Sequence, residues 1–238
     1  MPPELMDRPR PKPATRAKSA APAARARGDA PSQNEQAYQL LKDALTTLAY
    51  KPGEYLNTAS LMDELALGRT PINHALHRLA NEGLVQIIPR KGVMVSPLSI
   101  DDALELIQVR VANEGLCARL AAAKSTKAEV EQIKDVARRF DEAVARRNLT
   151  EVMNLDRIFH EHIAAAARNQ MLAEILKVLH ARSQRFWALS LAAEGHLAEV
   201  QAEHAAIIDA LGRNDPDAAA AAVQAHVLSF QQALLHRR

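Results

Sequence analysis

The chain of 238 residues holds a single cysteine, Cys117, so neither an intrachain disulfide nor a cysteine-based zinc site can form. Aromatic residues make up 3% and glycines number only eight. A β-sandwich or barrel draws on aromatic and β-branched residues with frequent glycine turns, so an all-β fold is excluded. No apolar run approaches the ~20 residues of a membrane span. The N-terminus lacks the apolar core of a signal peptide, and no apolar stretch follows its arginines as twin-arginine export requires. These absences make the cytoplasm the expected compartment. What remains is 48% hydrophobic and 24% charged, the balance of a globular protein. Alanine and leucine dominate, and both favour helix.

Charge is unevenly spread. Residues 1–32 carry seven basic groups against three acids, a balance of +4, so the total of +2 leaves −2 for the rest. That tail also holds seven of the twelve prolines. It has too few large apolar residues to offset its ordering entropy and reads as disordered. Two roles fit it: a loose extension, or a basic arm that adds nonspecific attraction to nucleic acid.

From Ser32 the pattern turns helical. Ala37, Leu40, Leu41, Ala44, Leu45 and Leu48 mark a first helix to Ala49, broken by Pro52-Gly53. Thr58 is placed to cap a short second helix through Leu65, ended by Gly68. Thr70-Pro71 reads as a cap followed by Pro at the first helical position of a third helix. Its buried stripe is Ile72, Leu76 and Leu79, and Gly83 stops it. Leu84–Ile88 and Val93–Val95 flank Pro89-Arg90-Lys91-Gly92 and predict a β-hairpin. Three helices and a basic hairpin over residues 33–97 predict a winged helix-turn-helix, whose later helix enters the DNA major groove. Past Pro97 no strand signal survives. Ser99 with Asp102 and Thr126 with Glu129 are capping-box signals. Six helices are expected near 100–123, 126–147, 149–167, 170–193, 195–212 and 215–236, and their short connections predict a compact antiparallel bundle. The fold class is therefore mainly α, with domains at 33–97 and 98–238 behind the 1–32 tail.

The run Asn57-Thr58-Ala59-Ser60-Leu61, Gly68-Arg69-Thr70-Pro71-Ile72, Glu82-Gly83-Leu84-Val85 and Arg90-Lys91-Gly92-Val93 resembles the winged-helix domain of GntR-type transcription regulators. Arg110, Glu114, Leu120-Ala121-Ala122, Asp156-Arg157-Ile158-Phe159-His160, Glu203-His204 and Ala225-His226 resemble the helical FCD effector domain of the FadR-like subfamily. The resemblance covers about residues 36–236.

Helical geometry turns Thr70, Asn73, His74 and His77 outward opposite the buried stripe, with Arg69 just before them. Alone, such a face is as well explained by simple solvation. Arg and Thr at a helix start can hold phosphate, and Asn can read adenine. The resemblance implies DNA contacts from Arg69, Thr70, position 73 and the wing tip at Lys91 and Gly92. The chain departs from the usual pattern in two places. Asn73-His74 replaces the common Arg-Glu pair, and Ala59 stands where an Arg is common. Residues 33–98 hold six basic and six acidic groups. Either the operator differs from the family's usual one, with the tail supplying attraction, or DNA binding is weakened.

Asp156 and His160 lie four apart, about one helical turn or 6 Å, on one face. Spacing alone fits a surface ion pair as well as two metal ligands. The resemblance implies a divalent metal held by Asp156, His160, His204 and His226. Zinc leads, and nickel, manganese or iron suit the same donors. His162, His180, His196 and His236 match no such pattern and are expected at surface or structural positions. Arg110 reads in isolation as a surface charge or as a helix partner of Glu114. The resemblance makes it an inward guanidinium for a ligand carboxylate. Arg182 and Arg185 are further candidate ligand contacts, and Phe186 and Trp187 are core or a ligand wall.

The expected function is a ligand-responsive transcription regulator, a homodimer on a two-fold DNA operator with a small carboxylate effector and no membrane partner. Two other readings stand beside it. One is a metal-dependent hydrolase using the His/Asp site, though no general base sits as in a His-Glu-x-x-His helix. The other is a ligand sensor that no longer binds DNA.

Overall fold

The computed structural model describes residues 31–190 and 196–235. The expected basic tail lies outside the described residues up to residue 30, as does His236.

Helix α1 (Gln33–Thr46) starts where the Ser32 hydroxyl accepts from the Glu35 amide at 3.2 Å, and it buries Ala37, Tyr38, Leu41 and Leu45. It ends sooner than its apolar spacing suggests, because Leu48 takes a left-handed φ of 61°. Strand β1 (Tyr55–Leu56) follows, then α2 (Thr58–Leu65) and α3 (Arg69–Asn81). Two caps differ from expectation. Asn57, not Thr58, caps α2, its side-chain oxygen accepting from Ala59 N at 2.8 Å. Gly68, not Thr70, is the N-cap of α3, so Pro71 falls at the third helical position. An amide there needs no helical partner, so proline costs no hydrogen bond. Ile72, Ala75, Leu76 and Leu79 form the buried stripe of α3.

Strands β2 (Val85–Ile88) and β3 (Gly92–Val95) form the expected antiparallel hairpin. Its tip uses left-handed backbone at Arg90 (φ 64°) and Gly92 (φ 103°), conformations a tight wing turn requires. Tyr55 and Leu56 add a strand that the periodicity did not show, giving the order β1-β3-β2. Two residues are too few to display a period of two.

The remainder is helical: α4 (Ile100–Lys124), α5 (Lys127–Ala145), α6 (Leu149–Ala166), α7 (Gln170–Ser190), α8 (His196–Gly212) and α9 (Pro216–Leu235). Thr126 and Glu129 close a reciprocal capping box at the start of α5. Helix α4 packs chiefly on α9, α5 on α6, and α8 on α9. The core is built on Phe140, Phe159, Ile107, Ile133, Leu155 and Leu176. A separate core of α1–α3 and the sheet holds Tyr38, Leu41, Ile72, Leu79 and Leu84, and Ala181 of α7 is buried in it. Helix α7 therefore belongs to the bundle and touches the winged helix along one face. No described helix is long and apolar enough to cross a membrane.

Candidate metal centre and nucleic-acid interface

Arg69, Thr70, Asn73, His74 and His77 are all exposed along α3, and Lys91 and Gly92 are exposed at the wing tip. No hydrogen bond or ion pair engages the side chains of Arg69, Asn73, His74, His77, Arg90 or Lys91 among the described residues. Several surface arginines elsewhere differ. Arg78, Arg138, Arg157, Arg168 and Arg213 each hold a carboxylate. The α3 face and wing thus offer uncommitted donors and cations, the property that phosphate and base contacts need. Arg90 was missing from the sequence-based set, although it sits beside Lys91 in the same turn.

The second site lies inside the bundle. Helix α6 supplies Asp156 and His160, α8 supplies His204 and α9 supplies His226. One ligand atom from each falls within 4.8 Å of the others. His204 Nε2 is 3.5 Å and His160 Nε2 3.9 Å from Asp156 Oδ1, and His226 Nε2 is 3.3 Å from His160 Nε2. The rings are fixed from behind. Glu203 Oε2 lies 2.7 Å from His226 Nδ1, and Glu114 Oε2 lies 3.4 Å from His160 Nδ1. A carboxylate on Nδ1 favours the proton there and leaves Nε2 a lone pair. His204 stacks on Phe159 at 4.0 Å between ring centroids. At 3.3 Å the facing His160 and His226 Nε2 atoms can share one proton, and a cation placed between them would take both lone pairs instead. Both His204 nitrogens are buried without a well-formed hydrogen bond. Three nitrogens and one carboxylate, so arranged, fit a divalent cation.

The electrostatics agree. Burial pushes the His160 and His204 rings toward the neutral form, against the pull of Asp156. Neutral imidazole is the form that ligates a metal. Burial works to raise the Asp156 carboxyl, but the His204 contact and the neighbouring rings outweigh it and hold the group well below the usual carboxylate range.

Beside this quartet lies a second buried group that sequence spacing did not connect. Glu114, only 2% exposed, receives Arg110 Nε at 2.5 Å and lies 3.2 Å from His180 Nε2. Arg110 Nη1 also donates to Ser183 Oγ at 2.6 Å. Burial raises the Glu114 carboxyl, yet Arg110, His180 and His160 hold it well below the ordinary value. With a guanidinium already on it, Glu114 is better suited to orient His160 than to take a second dication. His180 is corrected here: it is a buried member of this site, because α7 packs against α4 and α6.

Arg110 is inward, as the resemblance implies, and it uses Glu114 as well, as its spacing implies. A narrow cavity of about 40 Å³ lies beside the quartet and opens partly to solvent. Arg110, His160, His180, Ser183, Gln184, Trp187 and Ser229 line it. Arg185 is not brought there. Its Nη2 donates to the Ser96 carbonyl, and Arg182 Nε donates to the Glu82 carbonyl at 2.7 Å. Successive α7 residues point to different sides, so Arg182 and Arg185 face the winged helix while His180, Ser183 and Gln184 face the cavity. Trp187 walls the cavity and Phe186 lines the junction. The Cys117 thiol is buried and pushed up to about 12, and it does not fall among the converging donor atoms.

A winged helix with a free recognition face, joined to a helical bundle with an internal polar site, defines a DNA-binding transcription regulator. The family comparison is specific. Residues 33–95 match the model of bacterial regulatory proteins of the gntR family, and residues 105–229 match the FCD domain. The chain belongs to the GntR family of transcription regulators and carries an FCD domain; it is a regulator and not an enzyme. Among curated relatives, it is 26% identical to the HTH-type transcriptional regulator YdfH of Escherichia coli O6:H1, over 86% of this chain and 90% of that protein. It is 25% identical to the HTH-type transcriptional repressor RspR of E. coli K12, over 84% and 88%. The fold matches E. coli McbR/YncC with a TM-score of 0.80 at 20% identity, covering 87% of this chain and 99% of that one. A GntR regulator from Rhodococcus sp. RHA1 matches with a TM-score of 0.72 at 21% identity, covering 87% and 100%.

Proposed function

We propose that this regulator is a homodimeric, ligand-responsive repressor whose bundle, residues 98–238, binds a divalent metal and a small carboxylic acid. The observation that carries this reading is the convergence of Asp156, His160, His204 and His226 beside Arg110 at one cavity. Zinc suits three imidazoles and a carboxylate best, and nickel, manganese or iron(II) fit the same donors. The metal would supply a Lewis-acid anchor for an anionic oxygen. Arg110 keeps Nε on Glu114 and Nη1 on Ser183 and has Nη2 left for a ligand carboxylate. Ser183, Gln184 and Ser229 add neutral hydrogen-bonding groups, and Trp187 adds an apolar wall.

Residues 33–97 read DNA through Arg69, Thr70, Asn73, His74 and His77 on α3, with Lys91 and Gly92 at the wing. A dimer places two such faces on a two-fold operator in the cytoplasm. The relative RspR is named a repressor, which supports that sign of regulation. Helix α7 supplies the route between the sites: Ser183 and Gln184 face the effector cavity, and Ala181 is buried in the winged-helix core. A ligand shifts DNA affinity through it only by binding the two arrangements unequally.

Metal analysis and gel shifts test the proposal. The purified protein should hold about one divalent ion per chain, a count set by its one quartet of donors, and Asp156→Ala or His204→Ala should lose it. Full metal content in both variants removes the site. DNA flanking the protein's own gene should give a discrete band that survives competitor DNA and responds to a carboxylic acid. A diffuse, salt-erased smear at every fragment would remove the repressor reading.

A further inference from the structure

The cleft between the winged helix and the bundle carries two cations, Arg182 and Arg185, that pair with no carboxylate among the described residues. Arg185 is only 2% exposed, yet among the described residues it forms no ion pair, and its partner is the neutral carbonyl of Ser96. Its Nε is fully buried without any hydrogen-bond partner. A guanidinium has five N–H donors, and a single carbonyl leaves most of them idle. One helical turn away, Arg182 lines the same cleft, also held only by a carbonyl, that of Glu82. Its guanidinium lies across Gly83, where a side chain would collide with it. Buried charges in proteins are normally paired, and an isolated one is strongly disfavoured. Burial alone pushes the Arg185 guanidinium down to about 10, so it is charged at neutral pH.

We infer that this cleft is an anion site, distinct from the metal cavity, in which Arg185 and Arg182 hold the carboxylate of a small monoanionic acid with an apolar body. The space is there, about 1110 Å³ including its solvent mouth. Leu106, Leu179 and Phe186 form an apolar wall for the body of the acid. Asp102 and Glu105 stand exposed on the lining without pairing either arginine, and their charge selects against polyanions. A guanidinium's planar set of N–H donors suits a carboxylate, and two line this one cleft. The site touches both halves of the molecule. Ser96 and Glu82 belong to the segments that end β3 and α3, so an acid bound there competes for the contacts that seat the winged helix on α7. The inference stands whether or not the metal cavity binds an effector.

Benzoate is the probe, with benzamide as its neutral isostere, on the full-length protein. Benzoate raises the melting temperature saturably and benzamide does not. Arg185→Met raises the benzoate concentration at half-effect by about tenfold or more, the size expected for a lost charged hydrogen bond. Arg182→Met, at an exposed position that leaves the core intact, raises it by a smaller factor. Crystals grown with 4-bromobenzoate separate the two sites, because the bromine signal marks its position. A peak beside Arg185 supports the inference. A peak only beside Asp156 and Arg110, or a benzoate response unchanged in both arginine variants, overturns it. So does the absence of saturable stabilisation by benzoate, even if inorganic phosphate stabilises the protein. If Arg110→Met leaves the Arg185 peak and the response intact, the Arg185 site is shown to act independently of the metal cavity; if Arg110→Met removes both, the inference is overturned.

Discussion

At the residue scale the candidate metal-binding quartet is held by groups outside it. Glu203 Oε2 sits 2.7 Å from His226 Nδ1, a contact that favours the proton there and frees Nε2, while Glu114 faces His160 Nδ1 at 3.4 Å as a charge contact. Outer carboxylates of this kind typically change metal affinity 10–100-fold. Glu203→Gln should weaken metal binding by about that range, read by competition with a chelator of known affinity, while leaving the metal-free melting temperature within about 1 kcal/mol equivalent of the parent. An unchanged affinity would mean that Glu203 does not orient the ring. The two buried imidazoles also set a pH dependence. His160 and His204 have folded-state values below the ordinary 6.5. Below that pH the unfolded chain takes up protons that the folded rings refuse, so stability falls as pH drops. The chelator-treated protein should therefore lose melting temperature between about pH 6.5 and 5, and His204→Phe should flatten that loss. A flat profile in the parent would show that these rings are not held neutral.

At the element scale the apolar spacing located almost every helix, because a buried stripe at helical period is a local property. Ends were less legible. Asn57 and Thr58 are both good caps, and the choice between them depends on where β1 leaves the chain. The third strand exists only because β3 offers an edge to Tyr55 and Leu56. Helix α3 shows what its residues can do for DNA. Arg69 is exposed at its first turn beside free amides, a phosphate-binding position. Arg69→Ala should weaken DNA binding across sequences and lower the slope of log affinity against log salt by about one unit. A change in sequence preference without a change in slope would instead assign Arg69 to base reading.

At the scale of the whole molecule the regulator joins two cores through one helix. Helix α7 buries Ala181 in the winged-helix core, holds Arg182 and Arg185 on its carbonyls, and turns His180 and Ser183 to the metal side. The winged helix itself is electrically balanced, and the +4 of residues 1–32 is the largest local excess of positive charge. Deleting residues 1–32 should weaken operator binding at low salt, with the difference vanishing at high salt and base preference unchanged. Equal affinity at both salts would make the tail a plain extension.

The amino-acid sequence by itself determined the order of helices, the wing, the outward face of α3 and, through family resemblance, the quartet Asp156, His160, His204 and His226. Those follow from local periodicity and from residue types at set spacings. Only the tertiary structure decided the rest. It brought His180 beside Glu114 and Glu203 behind His226, and it turned Arg185 from the effector cavity to the domain junction. A helix's apolar stripe fixes which side faces the core. Which of several inward polar side chains meet depends on the rotation and depth at which distant helices pack, and no spacing within one segment encodes that.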